Sequence, residues 1–196
     1  MKWINGLKQN IKLSSKLKQK IDIINAAALS SGVEIDLNNK KAVIQSVAID
    51  LGDSNIKHII ATDHDDKIVT SQEGNLKIVL NEGNDSVKLH GGGNMVYVNK
   101  FSGDKEIKNF YVDSCQFADD LEVIENFCVG DHRSVHDSDG DICLLYDSGA
   151  IKVDESTDTI NIDAGLLQDH MVDGKCLKMS GGSGNVILLG KCLGLQ

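Results

Sequence analysis

The chain has 196 residues, carries a formal net charge of −9 and contains 41% hydrophobic residues. This composition excludes a generically disordered protein, and no apolar run approaches the ~20 residues that a membrane-spanning helix needs. The acidic balance argues against a nucleic-acid partner, because proteins that bind nucleic acid neutralise its phosphates. It favours hard cations, which take oxygen ligands. The alternative is a solvated acidic surface.

The N-terminal segment differs from the rest of the chain in charge and in pattern. Its first 20 residues hold six lysines and no acid, so their charge is +6. The remaining residues therefore carry −15, which gives the net charge of −9. Apolar residues recur there at helical spacing, which predicts a basic amphipathic helical segment over residues 1–32. The stripe residues are Trp3, Ile4, Leu7, Ile11, Leu13, Leu17, Ile21 and Ile24. Such a segment can cap a β-stack, dock on a protein partner or lie on an anionic membrane.

The next regular feature is a repeat over residues 73–99. It consists of three nine-residue units, EGNLKIVLN, EGNDSVKLH and GGGNMVYVN. Each unit opens with a turn rich in glycine and asparagine and ends with two apolar residues at i and i+2. Alternate residues of a strand share a face, so each unit predicts one short strand with one buried side. The predicted inward pairs are Ile78/Leu80, Val87/Leu89 and Val96/Val98.

Similar patterns flank this repeat on both sides. Residues 33–62 alternate like strands, first at Val33/Ile35/Leu37 and then at Val43/Val47/Ile49, with a turn at Leu37–Lys40 between them. A second block carries apolar pairs at Ile142/Leu144, Ile151/Val153, Ile160/Ile162, Leu177/Met179 and Val186/Leu188, interrupted at 164–171 by a helical turn. The shared period predicts a mainly β domain over residues 33–196, irregular over 100–136. The predicted fold is a parallel β-solenoid or β-roll of nine-residue units with an N-terminal α-helical cap.

One unit of the repeat carries a pattern with metal-binding chemistry. Gly83, Asp85 and Val87 form Gly-x-Asp-x-aliphatic, which resembles the glycine-rich nonapeptide of RTX-type calcium-binding repeats. The resemblance implies a β-roll in which calcium lies between successive turns, held by Asp side chains and backbone carbonyls. The calcium ligands that it implies in this chain are Asp85, Asn94, Asn75 and Asp158.

A second cluster of carboxylates lies later in the chain. Asp137, Asp139 and Asp141 form D-x-D-x-D, which resembles the start of a calcium loop. The loop glycine of an EF-hand is replaced by Ile142, and its terminal acid by Ser148. The alternative in both places is that Asp and Asn occupy turns for their conformational preferences, without metal.

The sequence indicates the kind of assembly that the protein belongs to, but it indicates no enzymatic reaction. It contains no G-x-S-x-G, H-E-x-x-H or phosphate-loop motif, so no enzyme class is predicted. We expect a binding or structural module of a secreted, surface-attached or phage-like assembly, responsive to calcium, with a protein or glycan partner. Lysines interrupt any signal-peptide core, so export without a cleaved signal is expected, with a cytoplasmic location as the alternative. Two further alternatives are an effector whose N-terminal helix binds a membrane or partner, and a carbohydrate-active enzyme on the same scaffold.

Overall fold

The computed structural model describes residues 3–4, 21–98, 102–110, 112–117, 124–125, 149–154, 156–170 and 176–190. These residues form two β-sheets, whose strands are numbered here in chain order. Buried side chains from both sheets belong to one hydrophobic core. Within the described residues, no helix is long and apolar enough to span a bilayer.

The first sheet combines a parallel part with an antiparallel part. In spatial order its strands are β1 (Trp3–Ile4), β2 (Ile23–Asn25), β6 (His58–Ile60), β8 (Lys77–Leu80), β10 (Met95–Val98), β17 (Asn185–Gly190), β16 (Cys176–Gly181), β12 (Val112–Phe117) and β13 (Ile124–Glu125). Neighbours from β1 to β17 pair in parallel. Neighbours from β17 to β13 pair antiparallel.

The second sheet has a parallel centre and antiparallel ends. Its spatial order is β14 (Ile151–Asp154), β15 (Thr159–Asp163), β11 (Asp104–Lys108), β9 (Asp85–Lys88), β7 (Lys67–Val69), β3 (Val33–Asp36), β4 (Lys41–Ile44) and β5 (Val47–Asp50). The four strands from β11 to β3 pair in parallel. A short helix, α1 (Ala164–His170), follows β15, and a 3-10 turn at Gly182–Gly184 joins β16 to β17.

The predicted parallel β-solenoid with an N-terminal helical cap is wrong, because both sheets are mixed. Hairpins that the repeat pattern did not predict reverse the chain at both ends of the second sheet. Gln45 and Ser46 join β4 to β5 with φ angles of 49° and 64°. Two successive positive φ angles are what a two-residue type I′ hairpin requires. Neither residue is the glycine or asparagine that signals such a turn in a sequence.

The helix predicted over residues 1–32 is also wrong where the structure describes this segment. Trp3–Ile4 and Ile23–Asn25 are strands of the first sheet, paired in parallel. Ile21 and Ile24 are buried, as predicted, but Ile24 is an inward residue of β2. Two isoleucines three residues apart fit a helical stripe, yet here Ile24 lies in β2 and Ile21 lies two residues before the strand begins. Residues 5–20 of the predicted cap lie outside the described part.

The inward face of the nine-residue units is confirmed. Ile78, Val87 and Val96 lie on β8, β9 and β10, and each is 0% exposed. Successive units, however, alternate between the two sheets, since β8 and β10 belong to the first and β9 to the second. Each unit therefore pairs with the unit after next. This alternation determines which polar residues meet.

Two predicted faces are wrong. Val43 is 38% exposed, whereas its neighbours Ala42 and Ile44 are buried. Along β17 the inward residues include Ile187 and Leu189, both 0% exposed, and not the predicted Val186. Both stretches contain consecutive apolar residues, so alternation does not specify which of them face the core.

Candidate functional site

A row of buried charged side chains crosses the second sheet. Asp66 lies just before β7, Asp85 begins β9 and Lys105 lies in β11. They are 3%, 2% and 0% exposed, respectively. Asp85 and Lys105 are register partners in parallel strands, and the Asp66 backbone N–H donates to Asp85 Oδ1 at 3.0 Å. We call these three residues the charged row. Buried charges are costly unless they are paired and hydrogen-bonded.

Asp66 satisfies this condition through backbone and hydroxyl donors. Its Oδ1 accepts the Val33 N–H at 2.7 Å, and its Oδ2 accepts the Thr62 N–H at 2.8 Å. The Thr62 hydroxyl also lies 3.0 Å from Oδ1 and 3.1 Å from Oδ2. Burial raises the pKa of Asp66 above its usual value, and these hydrogen bonds oppose the rise. The side chain thus joins β3 to the turn that precedes β7.

Asp85 and Lys105 form a fully enclosed pair. Lys105 Nζ lies 2.9 Å from Asp85 Oδ2, and both side chains are 0% exposed. Nζ also donates to the Ser102 carbonyl at 3.0 Å and to the Gly83 carbonyl. No donor within the described residues reaches Oδ2 with hydrogen-bond geometry, so its contact with Nζ is ionic. Burial raises the pKa of Asp85 to about 7, although Lys105 acts to lower it.

The first sheet carries a matching row without charge. Asn94, just before β10, is 0% exposed, and Asn185, at the start of β17, is 4% exposed. Asn94 Oδ1 accepts the Leu76 N–H at 3.2 Å, and the Asn94 N–H donates to Asn185 Oδ1 at 3.0 Å. Asn94 Nδ2 donates to the His90 carbonyl and to Asn185 Oδ1, each at 3.0 Å. We call Asn94 and Asn185 the amide row. It joins the backbones of three neighbouring strands.

The structure separates the residues that the sequence grouped as calcium ligands. Asp85 lies in the second sheet, whereas Asn75 and Asn94 precede strands of the first. Asn75 and Asp158 are exposed and adopt φ angles of 56° and 47°. Asn and Asp tolerate this left-handed conformation better than most residues, which explains their presence in turns. Asp137, Asp139 and Asp141 lie outside the described residues.

Lys105 Nζ lies beside Asp85, where the RTX resemblance implies a calcium ion. Its ammonium contacts a carboxylate oxygen of Asp85 and the carbonyl oxygens of Gly83 and Ser102. A carboxylate with backbone carbonyls is also the type of ligand set that calcium takes. A calcium ion there would require the ammonium to leave. Among the described residues, no group of three or more His, Cys, Asp or Glu side chains is placed to hold a metal. Calcium binding therefore stays a prediction.

No family model, curated protein or solved structure matches the chain. Its function is therefore inferred from the geometry of its own residues, and the RTX resemblance stays a proposal based on sequence.

The sequence contains a pattern that predicts the charged row, but a comparison of adjacent nine-residue units does not reveal it. Asp66, Asp85 and Lys105 each stand two residues before a buried aliphatic residue, so all three point inward. They are also separated by 19 and 20 residues, about two units. Comparing alternate units, instead of adjacent ones, would have placed Lys105 beside Asp85.

Proposed function

We propose that this chain is a non-catalytic structural module whose β framework supports a binding surface in a larger assembly. The observation that carries the proposal is the burial of its charged and amide rows. These side chains bond to the backbone of neighbouring strands, as Asp66 does to Val33 and Asn94 does to Leu76. The buried charged and amide side chains therefore hold strands together inside the protein.

The hydrogen bonds and the ion pair of the two rows support a role in stabilising the folded state. A backbone N–H that loses its buried acceptor costs about 1–3 kcal/mol, so each row side chain contributes to the cohesion of its sheet. The charged row joins β3, β7, β9 and β11, which form the parallel centre of the second sheet. A module that must keep its shape while holding a partner benefits from such internal connections.

The setting that we propose is a secreted, surface-attached or phage-like assembly. The RTX resemblance at Gly83 to Val87 and the acidic composition support it. A response to calcium belongs to the same proposal, and it requires that Lys105 be free to move away from Asp85.

Pulse proteolysis tests the structural role, because a persistent framework must unfold slowly. We expect the full chain to resist a brief protease pulse under native conditions. Asp66→Ala and Asn94→Ala should each accelerate unfolding, since each leaves buried backbone N–H groups without acceptors. Asn161→Ala, on an exposed position of β15, is the matched control and should leave the rate unchanged. Equal rates for all four proteins would overturn the proposal.

A groove on the second sheet favours a carbohydrate-active enzyme as the second candidate function. The groove has a volume of about 280 Å³, and its lining includes Ser86, Asp104, Glu106, Lys152, Asn161 and Asp163. Asp104 and Asp163 are register partners across β11 and β15, and paired carboxylates can act as acid and base on a glycosidic bond. Turnover of a polysaccharide panel, abolished by Asp104→Asn, would favour this candidate. Turnover that survives this change would exclude the groove as its site.

A further inference from the structure

The Asp85–Lys105 pair differs from the other ion pairs that the structure describes. Lys108 Nζ and Glu106 Oε2 are also 2.9 Å apart, but their side chains are 43% and 39% exposed. The Lys40–Asp53 pair is longer, at 3.9 Å, and still more exposed. Only Asp85 and Lys105, among the described pairs, combine close approach with complete exclusion of solvent.

Three groups surround Lys105 Nζ. The attacking form of a lysine amine has two N–H donors and one lone pair, which point in three directions. The carbonyl oxygens of Gly83 and Ser102 accept in two directions, and the carboxyl group of Asp85 lies in the third. Transfer of one proton from Nζ to the carboxylate gives an uncharged pair, which a low-dielectric interior favours over separated charges. Burial raises the pKa of Asp85, in agreement with this transfer.

We propose that Lys105 and Asp85 condense to an intramolecular isopeptide bond that links β11 covalently to β9. After the proton transfer, the Nζ lone pair attacks Cγ of Asp85. A bond forms between Nζ and Cγ, and the bond between Cγ and Oδ2 breaks. Oδ2 leaves as water with two of the three original ammonium protons, and the third stays on the amide nitrogen. The step needs no oxidant and no co-reactant.

Three features of the site favour this condensation over the ionic state. Intramolecular groups held in a reactive geometry reach effective concentrations of about 10⁵–10⁸ M, and register pairing of β9 with β11 holds these two groups together. The Asp66 N–H, 3.0 Å from Asp85 Oδ1, is placed to stabilise negative charge on that oxygen in the tetrahedral intermediate. Burial also keeps out the water that would reverse the reaction.

Intact-mass spectrometry of the full chain tests the proposal. After prolonged incubation of the folded protein, we expect a mass lower than that of the sequence by one water molecule. Trypsin should no longer cleave after Lys105, and residues 78–88 should appear joined to residues 101–108 in one branched peptide. Cleavage after Lys108 should remain normal, because its exposed pair with Glu106 is not expected to condense.

Two variants complete the experiment. Lys105→Arg keeps a positive charge but removes the amine, so its mass should equal that of its sequence. Lys108→Arg should still lose one water molecule. If Lys105→Arg does not fold, the tryptic map of the wild-type chain decides alone. Recovery of residues 78–88 as an unmodified linear peptide, or loss of water from any other peptide, would overturn the proposal.

Discussion

The charged row and the amide row both connect neighbouring strands, but they do so with different chemical groups. Each joins neighbouring parallel strands through side chains that point inward just before or at the start of a strand. The amide row uses neutral groups that donate and accept at once. Before any condensation, the charged row encloses two carboxylates and one ammonium, and its energy depends on their protonation and pairing. The comparison shows that one framework tolerates both, but only the charged row contains ionisable side chains.

The largest expected effect comes from breaking the charged row. Asp85→Ala leaves the ammonium of Lys105 buried with carbonyl partners but no counter-charge. Removing one partner of a buried pair costs about 3–5 kcal/mol, and the cost rises further if the wild-type pair is condensed. Urea denaturation measures this change in the free energy of unfolding. Asp104→Ala, at an exposed position of β11, is the control and should change it by no more than about 0.5 kcal/mol.

Breaking the amide row should cost less. Asn94→Ala removes the acceptor of the Leu76 N–H and a donor to the His90 carbonyl. Each unsatisfied buried group costs about 1–3 kcal/mol, and no charge is left behind. The loss should be the same across the range from pH 4 to pH 7, which thermal melts at several pH values would show. A marked dependence on pH would mean that the two rows are not independent.

The two rows also differ in how much of them the sequence could predict. The inward position of Asp85 followed from its spacing to Val87, and that of Lys105 followed equally from Ile107. Their contact did not follow from a comparison of adjacent units, because adjacent units of the repeat lie in different sheets. The β4–β5 hairpin was missed because its turn uses unsignalled residues, Gln45 and Ser46. Apolar alternation specifies a face, but turn geometry determines which strands become neighbours.

The pH dependence of stability should differ between the wild-type chain and Lys105→Arg, which cannot form the isopeptide bond. In Lys105→Arg, Asp85 stays a free carboxyl, and we expect burial to keep its pKa above the usual 3.8, as it does in the wild-type chain. The folded state then binds more protons than the unfolded state between pH 3.8 and the folded pKa, about 7 in the wild-type pair. Stability should therefore fall as pH rises through this window. Condensed wild-type protein should lack the contribution of Asp85, so equal slopes in the two proteins would argue against the account.

Calcium should produce the smallest effect. Lys105→Asn removes the ammonium and adds an amide oxygen beside Asp85 and the carbonyls of Gly83 and Ser102. At a calcium concentration equal to the dissociation constant, binding adds roughly 0.4 kcal/mol to stability. We expect millimolar calcium to raise the melting temperature of this variant slightly. The double variant with Asp85→Asn, which lacks the carboxylate, should melt equally in calcium and chelator. A calcium response in both variants would exclude this position as the site.

Native-state hydrogen exchange measures most directly whether the two rows hold the framework together. The amides to follow are those of Val33, Asp66, Leu76 and Asn94, whose acceptors are row side chains. We expect all four to exchange only through global unfolding, with a common free energy. The Asn39 amide, which donates to an exposed carboxylate of Asp36, should exchange much faster. If the row amides exchanged as readily as that of Asn39, the central claim would be contradicted.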